Sequence, residues 1–325
     1  MKKIIAAIIA FIFVLSTAAL ADETVVNYSL TTGLPTDKTE QKLIAVQFDN
    51  HGKARPQVHM VDADVIYEAE ITNGGYTRYT AIFNDTIPEL VEAVRSARIM
   101  HVDMAIDWGA TFVHFGGQQM VGSSIYDYLN SVSLLHSRYD GLTDTKNFYR
   151  DTGRVAPYNV ICRLGQIYDN IDTSKVTARS PMSFSDTDYT VRGSNCSIFR
   201  INYSIGEGYY PSYEYYPGEG VYCRFYNRKD QLDATGDHYT VSNVIVMQAD
   251  YTWYDGSGER PIVALTGTNK CDYFIAGKHF TGTWVRNTVG DTTTFYDDEG
   301  NIVLFRPGKT FIQIIKKADQ LELVS

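Results

Sequence analysis

EAVRSARIMHVDMAIDWGATFVHFGG, residues 92–117, sets the terms for the fold. Two arginines, Arg95 and Arg98, surround Ser96, which reads as the start of a helix. The apolar positions that follow recur at helical spacing. Gly109 is placed to end the helix in a left-handed cap. ATFVHF then reads as a strand that finishes in His114 and the pair Gly116-Gly117. Helix followed by strand predicts an α/β unit. Fixed positive charge, free helix N–H groups and glycines that admit a close backbone approach are what anion binding needs.

Upstream, LIAVQFDN (43–50) predicts a buried strand running into a polar turn at Asp49, Asn50 and His51. VHMVDADVIYEAEI (58–71) and YTRYTAIFN (76–84) predict a hairpin closed by Asn73-Gly74-Gly75. Downstream, 121–135 predicts a second amphipathic helix and 138–159 a loop rich in Asp, Arg and Gly. From about residue 180 the texture changes to short β-rich runs separated by Gly and Pro turns. The expected architecture is α+β with two domains: a layered α/β domain over 41–178 and a mainly antiparallel β domain over 195–320.

The first 21 residues, with Lys2 and Lys3 ahead of an apolar core and Ala19-Leu20-Ala21 behind it, read as a secretory signal peptide. No cysteine follows the core to serve as a lipobox. Residues 22–40 are polar and read as a flexible leader. Export places the protein in the cell envelope or outside the cell, and limits membrane contact to the signal peptide.

The chain carries 38 acidic and 29 basic residues, a net charge of −9, which becomes −11 once the two signal lysines are gone. Phosphate repulsion then argues against a nucleic-acid partner. The 24 tyrosines suit strand surfaces, with sugar stacking by Trp253, Trp284 and the 209–216 run as a lesser alternative. Cys162, Cys196, Cys223 and Cys271 contain no CxxC pair, which disfavours a zinc ribbon and leaves free thiols or one bridge.

The candidate ligand-binding residues are Asp49, Asp64, Arg78, Arg95, Ser96, Arg98, His114, Gly116, Gly117, Arg150 and Arg154. They fall at strand ends and glycine turns, where α/β domains place ligands. Cations near a helix start are unfavourable and need compensation. Either a bound anion supplies it, or carboxylates such as Glu68, Glu70, Glu92 and Asp103 do. Ser96 lacks a G-x-S-x-G surround, so a helix cap is its simpler role. Asp49, His51 and His114 are weak as a metal set; neither metal nor cofactor is expected.

The order of motifs resembles the YerB-like family of bacterial exported lipoproteins. FDNHGKARPQ (48–57), ADVIYEAEITNGGYTRYTAIF (63–83), VRSAR (94–98), VHFGG (113–117) and FYRDTGRVAPYN (148–159) carry the resemblance. GTWVR (282–286) and PGKTFIQII (307–315) extend it. The resemblance implies two modules, export and a Gram-positive-type envelope, and it brings no catalytic residues. The chain departs from the family pattern where Ile99 replaces a proline and Tyr158 a histidine, so a mechanism needing that imidazole could not operate here.

Three functions are compatible with these features. The first is binding of an anionic cell-wall polymer, small molecule or envelope partner. The second is an enzyme acting on a phosphorylated wall precursor, by analogy with LytR-type phosphotransferases, whose motifs do not match. The third is a structural partner in an envelope complex. Whether the chain is an enzyme stays open at this level.

Overall fold

The computed structural model describes residues 26–119, 124–132, 137–175, 177–203, 210–254 and 260–325. The signal peptide expected over 1–21 lies outside them. Strand makes up 41% and helix 11%, so the class is mostly β. The layered α/β character expected of the N-terminal half is not found, because hairpins and short extended links take the place of most helical crossovers.

In chain order the N-terminal elements are β1 (Ile44–Asp49), β2 (Val65–Glu70), β3 (Thr77–Phe83), helix α1 (Ile99–Trp108), β4 (Thr111–His114), helix α2 (Ile125–Ser131) and β5 (Arg138–Asp140). A second group follows as β6 (Ile198–Ile201), β7 (Pro211–Tyr216) and β8 (Val221–Tyr226). The last group is β9 (Asn243–Gln248), β10 (Gly267–Ile275), β11 (Lys278–Arg286) and β12 (Thr310–Ile315).

Among the described residues one sheet of eleven strands runs through both halves, in the order β11-β10-β9-β12-β2-β3-β1-β4-β5, with two short strands at the β11 edge. β12 is the seam. It pairs in parallel with β9 on one side, Ile312 opposite Ile245, and with β2 on the other, Ile312 opposite Tyr67.

Both faces of this sheet are covered, which is why its central strands read as continuous apolar runs. Side chains still alternate between the faces. Val65, Tyr67, Ala69, Ile245, Met247, Ile312 and Ile314 pack with Val102, Ala105, Ile106 and Trp108 of α1. Ile66, Val244, Val246, Phe311 and Ile315 face the other way, onto Phe199, Tyr213 and Tyr222 of the β6–β8 sheet. Trp284, a candidate for sugar stacking, is buried in the α1-side core, and Tyr213 of the 209–216 run lies in the opposite one.

Between the two sheets lies a polar core. Arg224 on β8 and Glu68 on β2, both with fully buried side chains, form an ion pair. Asn50 Nδ2 and Thr77 Oγ1 donate to Glu68 Oε1 at 3.0 and 2.6 Å. Arg224 donates through Nε to Tyr213 Oη at 3.0 Å and through Nη1 to Tyr79 Oη at 3.2 Å. Buried charge is tolerated where such partners satisfy it.

Three local expectations change. Helix α1 begins at Ile99 with Arg98 as its N-cap, so Ser96 does not cap it. The cause is that Arg95 N donates to Gln47 O at 2.9 Å and Ala97 N to Gly116 O at 3.0 Å, which hold 95–97 extended. The leader is no free tether over 29–33. Thr31 and Thr32 are buried, Thr31 Oγ1 donates to Asp64 Oδ2 at 2.9 Å, and Gly308 N donates to Thr32 O at 2.7 Å. The second helix is shorter than 121–135, with Ser124 Oγ accepting from Tyr126 N and Asp127 N.

The end of α1 follows the sequence reading. Gly109 has φ +60°, and its N–H reaches the Ala105 and Ile106 carbonyls. The four cysteines are buried free thiols.

Candidate functional site

The site forms where β1 ends. Asp49 stands opposite Arg78 in the β1–β3 register. The VRSAR segment is threaded past them by the bonds from Asp49 N to Ala93 O, 2.9 Å, and from Arg95 N to Gln47 O. Extended backbone alternates its side chains. The segment nevertheless delivers Arg95, Ser96 and Arg98 to the same polar corner, because the chain turns into α1 at Arg98.

Arg78 is 6% exposed, and its Nη1 donates to Ser96 Oγ at 3.2 Å and to the Ser96 carbonyl. Arg95 Nε donates to Asp49 Oδ2 at 2.7 Å. The other oxygen of that carboxylate accepts from His51 N at 2.9 Å. Arg98 reaches the Ala97 carbonyl through Nη1 at 3.4 Å. Among the described residues, Nε of Arg78 and Nε of Arg98 are buried without a hydrogen-bond partner, and neither guanidinium has a carboxylate within ion-pair distance.

Electrostatics follow from that count. Burial, and then Arg98 beside it, pulls the Arg78 pKa down to about 9. Burial, and then Arg260 and Arg95, pulls Arg98 down to about 10. Asp49 acts in the opposite direction on both and does not offset them. Desolvation and like-charge repulsion both disfavour the cationic form.

Two buried histidines adjoin the arginines. His101 Nδ1 accepts from Arg98 N at 2.9 Å, which places the ring hydrogen on Nε2. Burial and the two arginines hold its pKa well below the usual value. His114 Nδ1 donates to the Gly116 carbonyl at 2.9 Å, leaving the lone pair on Nε2, and burial lowers its pKa as well. Both Nε2 atoms lack a partner. On the solvent side, the His51 ring stacks between Tyr158 at 4.5 Å and Tyr76 at 6.1 Å, and the Arg95 guanidinium lies 5.9 Å from the Tyr158 ring centre.

The structure therefore brings together Asp49, Arg78, Arg95, Ser96 and Arg98, with His114 behind them. Others fall away. Asp64 is bonded to Ile82 O through its N–H, four residues along β3 from Arg78, or roughly 13 Å at strand rise. Its carboxylate serves Thr31, Asn84 N and Asp85 N. Arg154 braces the fold through Glu92, 3.2 Å from Oε1, and the Ala54 carbonyl. Arg150 is exposed, held by Asn159 Oδ1 at 2.8 Å and lying over the Phe115 ring. Gly116 N is taken by Asp140 Oδ1 at 2.8 Å, and a side chain at Gly117 would overlap Ile125, so that pair serves packing. His51 and His114 sit in separate surroundings, one in a ring stack and one behind α1. The sequence reading missed His101, although its place three residues after the cap is where capping boxes carry their acceptor.

Chemically the corner is rich in N–H donors and poor in free acceptors. α1 adds to this, since the side chain of its N-cap, Arg98, accepts no bond from the first turn and that turn has no acidic residue.

Residues 31–177 match the N-terminal domain, and residues 199–312 the C-terminal domain, of a family described as Protein of unknown function (DUF3048). The chain belongs to the DUF3048 family. A curated relative named "Putative lipoprotein YerB", from Bacillus subtilis (strain 168), is 27% identical over 299 residues, 89% of this chain and 86% of the relative. The crystal structure of YerB protein from Bacillus subtilis superimposes with a TM-score of 0.79 at 27% identity, covering 92% of this chain and all of that one. All five of the N-terminal motifs quoted above fall inside the first DUF3048 segment, as does the arginine corner. The two DUF3048 segments are joined by β12, whose first residues close the second segment and whose partner β2 lies in the first.

Proposed function

We propose that this DUF3048 protein is an exported cell-envelope protein that binds an anionic ligand, a cell-wall component or an envelope partner, at Arg78, Arg95 and Arg98. One observation carries the reading: two guanidinium groups, of the buried Arg78 and the half-buried Arg98, keep a buried and unpartnered Nε–H and have no carboxylate of their own among the described residues. A buried unpaired cation is costly, and an anion bound in the same corner relieves the repulsion and supplies the missing acceptors. Arg95, with 27% of its side chain exposed, provides the opening to solvent. Export is supported by the signal-like leader and by the word lipoprotein in the relative's name.

Binding is favoured over bond-making because the carboxylate and the hydroxyl that line the corner are already committed. Both oxygens of Asp49 are engaged, and Ser96 Oγ is held by Arg78. The test is retention of the wild-type protein on purified cell wall, compared with a protein carrying Arg78→Ala and Arg98→Ala. The reading expects the wild type to be retained and the double variant to be released; equal behaviour of the two would refute it.

A further inference from the structure

We propose that the ligand taken at this corner is a dianionic tetrahedral oxyanion, a phosphate monoester, rather than a carboxylate. The inference rests on the anion-binding reading above and narrows it.

The argument is one of charge and donor count. Asp49 binds Arg95 at 2.7 Å and His51 N through its other oxygen, and it bonds to neither of the other two guanidinium groups. Arg78 and Arg98 thus leave two positive charges to be matched. A carboxylate would match one and leave the other buried. A phosphate monoester above its second pKa, near 6, carries close to two charges. Geometry points the same way. The unpartnered donors are Nε–H of Arg78, on β3, whose Nη1 already holds Ser96, and Nε–H of Arg98, the N-cap of α1. Donors carried on a strand and on a helix cap suit oxygens disposed tetrahedrally about one centre better than the two coplanar oxygens of a carboxylate.

The charged and titratable groups around the corner are Asp49 from β1, His51 and Tyr158 on its solvent side, Arg78 from β3, Arg95 and Arg98 from the VRSAR link, His101 from α1, His114 from β4 with Asp140 and Arg138 beside it, and Arg260. Burial holds the His101 and His114 rings below their usual pKa. Sulfate keeps both its charges from pH 7 to pH 5, so the difference between its pH profile and that of a phosphate ester reports the ester's own second ionisation.

The experiment is calorimetric titration of the whole protein with glucose 1-phosphate, sodium sulfate and sodium acetate at constant ionic strength. Each is repeated with Arg98→Gln, and with Arg150→Ala as a surface control. The expected result is binding of glucose 1-phosphate that weakens roughly tenfold from pH 7 to pH 5, following the loss of its second charge. Sulfate binding should persist across that range, acetate should not compete, and Arg98→Gln should lose binding while Arg150→Ala keeps it. Acetate binding as tightly as glucose 1-phosphate would overturn the dianion assignment and leave the anion site standing. Absence of binding by all three, with no capture by vesicles containing phosphatidic acid, would overturn both. Sedimentation with vesicles containing phosphatidic acid separates the sources: capture by vesicles without binding of the soluble ester assigns the phosphate to a lipid headgroup, and the reverse assigns it to a free ester.

Discussion

Asp49 binds Arg95 with an Oδ2 to Nε distance of 2.7 Å and commits its other oxygen to the His51 backbone. That single pairing decides the character of the corner. It satisfies one of three arginines and leaves the other two, Arg78 and Arg98, to repel each other.

Removing one of those two charges should relieve the ligand-free protein. Arg98→Ala is expected to leave the thermal midpoint in anion-free buffer unchanged or to raise it, because a cation at a helix start costs about 0.3–1 kcal/mol. Sites that hold strain for function commonly behave this way. A drop of several degrees would show that Arg98 braces the fold.

The ion pair between Glu68 and Arg224 should respond in the opposite sense. Both side chains are wholly buried, so Arg224→Met alone leaves Glu68 uncompensated and should cost about 3–5 kcal/mol in denaturant unfolding. Combining it with Glu68→Gln should recover much of that loss. Additive losses in the double variant would mean that the pair contributes no coupling.

Asp64 makes a pH prediction. Burial, with Asp85 nearby, raises its pKa from the usual carboxylate value to about 6. The folded state therefore holds this proton more tightly than the unfolded chain does. Its contribution is greatest below about pH 4 and is lost as pH rises to about 6, a change on the order of 3 kcal/mol. Asp64→Asn, which keeps an oxygen for the Asn84 and Asp85 N–H groups, should flatten the stability curve over that window. An unchanged slope in urea titrations at pH 4, 5 and 6 would contradict the assignment.

What could be read from the sequence was local. α1 ends at Gly109 because a left-handed cap depends on one residue, and the same position is closed to any side chain by the Thr177 carbonyl. The β2–β3 hairpin followed from the Asn-Gly-Gly turn between alternating runs. The seam was not legible. FIQII at 311–315 reads as a buried strand, yet nothing in it says that it enters between β9 and β2, since pairing across hundreds of residues is a tertiary choice. A clue went unused in YEAE: a glutamate inside a run buried on both faces calls for a cationic partner, and Arg224 is that partner, 156 residues away.

Of the five arginines read as candidates, the structure brings Arg78, Arg95 and Arg98 into one corner and leaves Arg150 and Arg154 outside it. Ser96 was expected to cap the helix. Backbone bonds to Gln47 and Gly116, invisible in the sequence, move the helix start to Ile99 and turn Ser96 toward Arg78 instead. Asp64 shares a motif with the site residues but sits at the far end of the strands, because the hairpin carries it away from Asp49.

The most direct test is a crystal of the protein grown or soaked in selenate, with anomalous diffraction collected at the selenium edge. The account predicts a peak within about 4 Å of both Arg78 Nε and Arg98 Nε, the reach of a charge-assisted hydrogen bond to an oxygen plus the bond from that oxygen to selenium. A map with no anomalous peak there, and a carboxylate side chain of the protein itself lying against those two nitrogens, would contradict it.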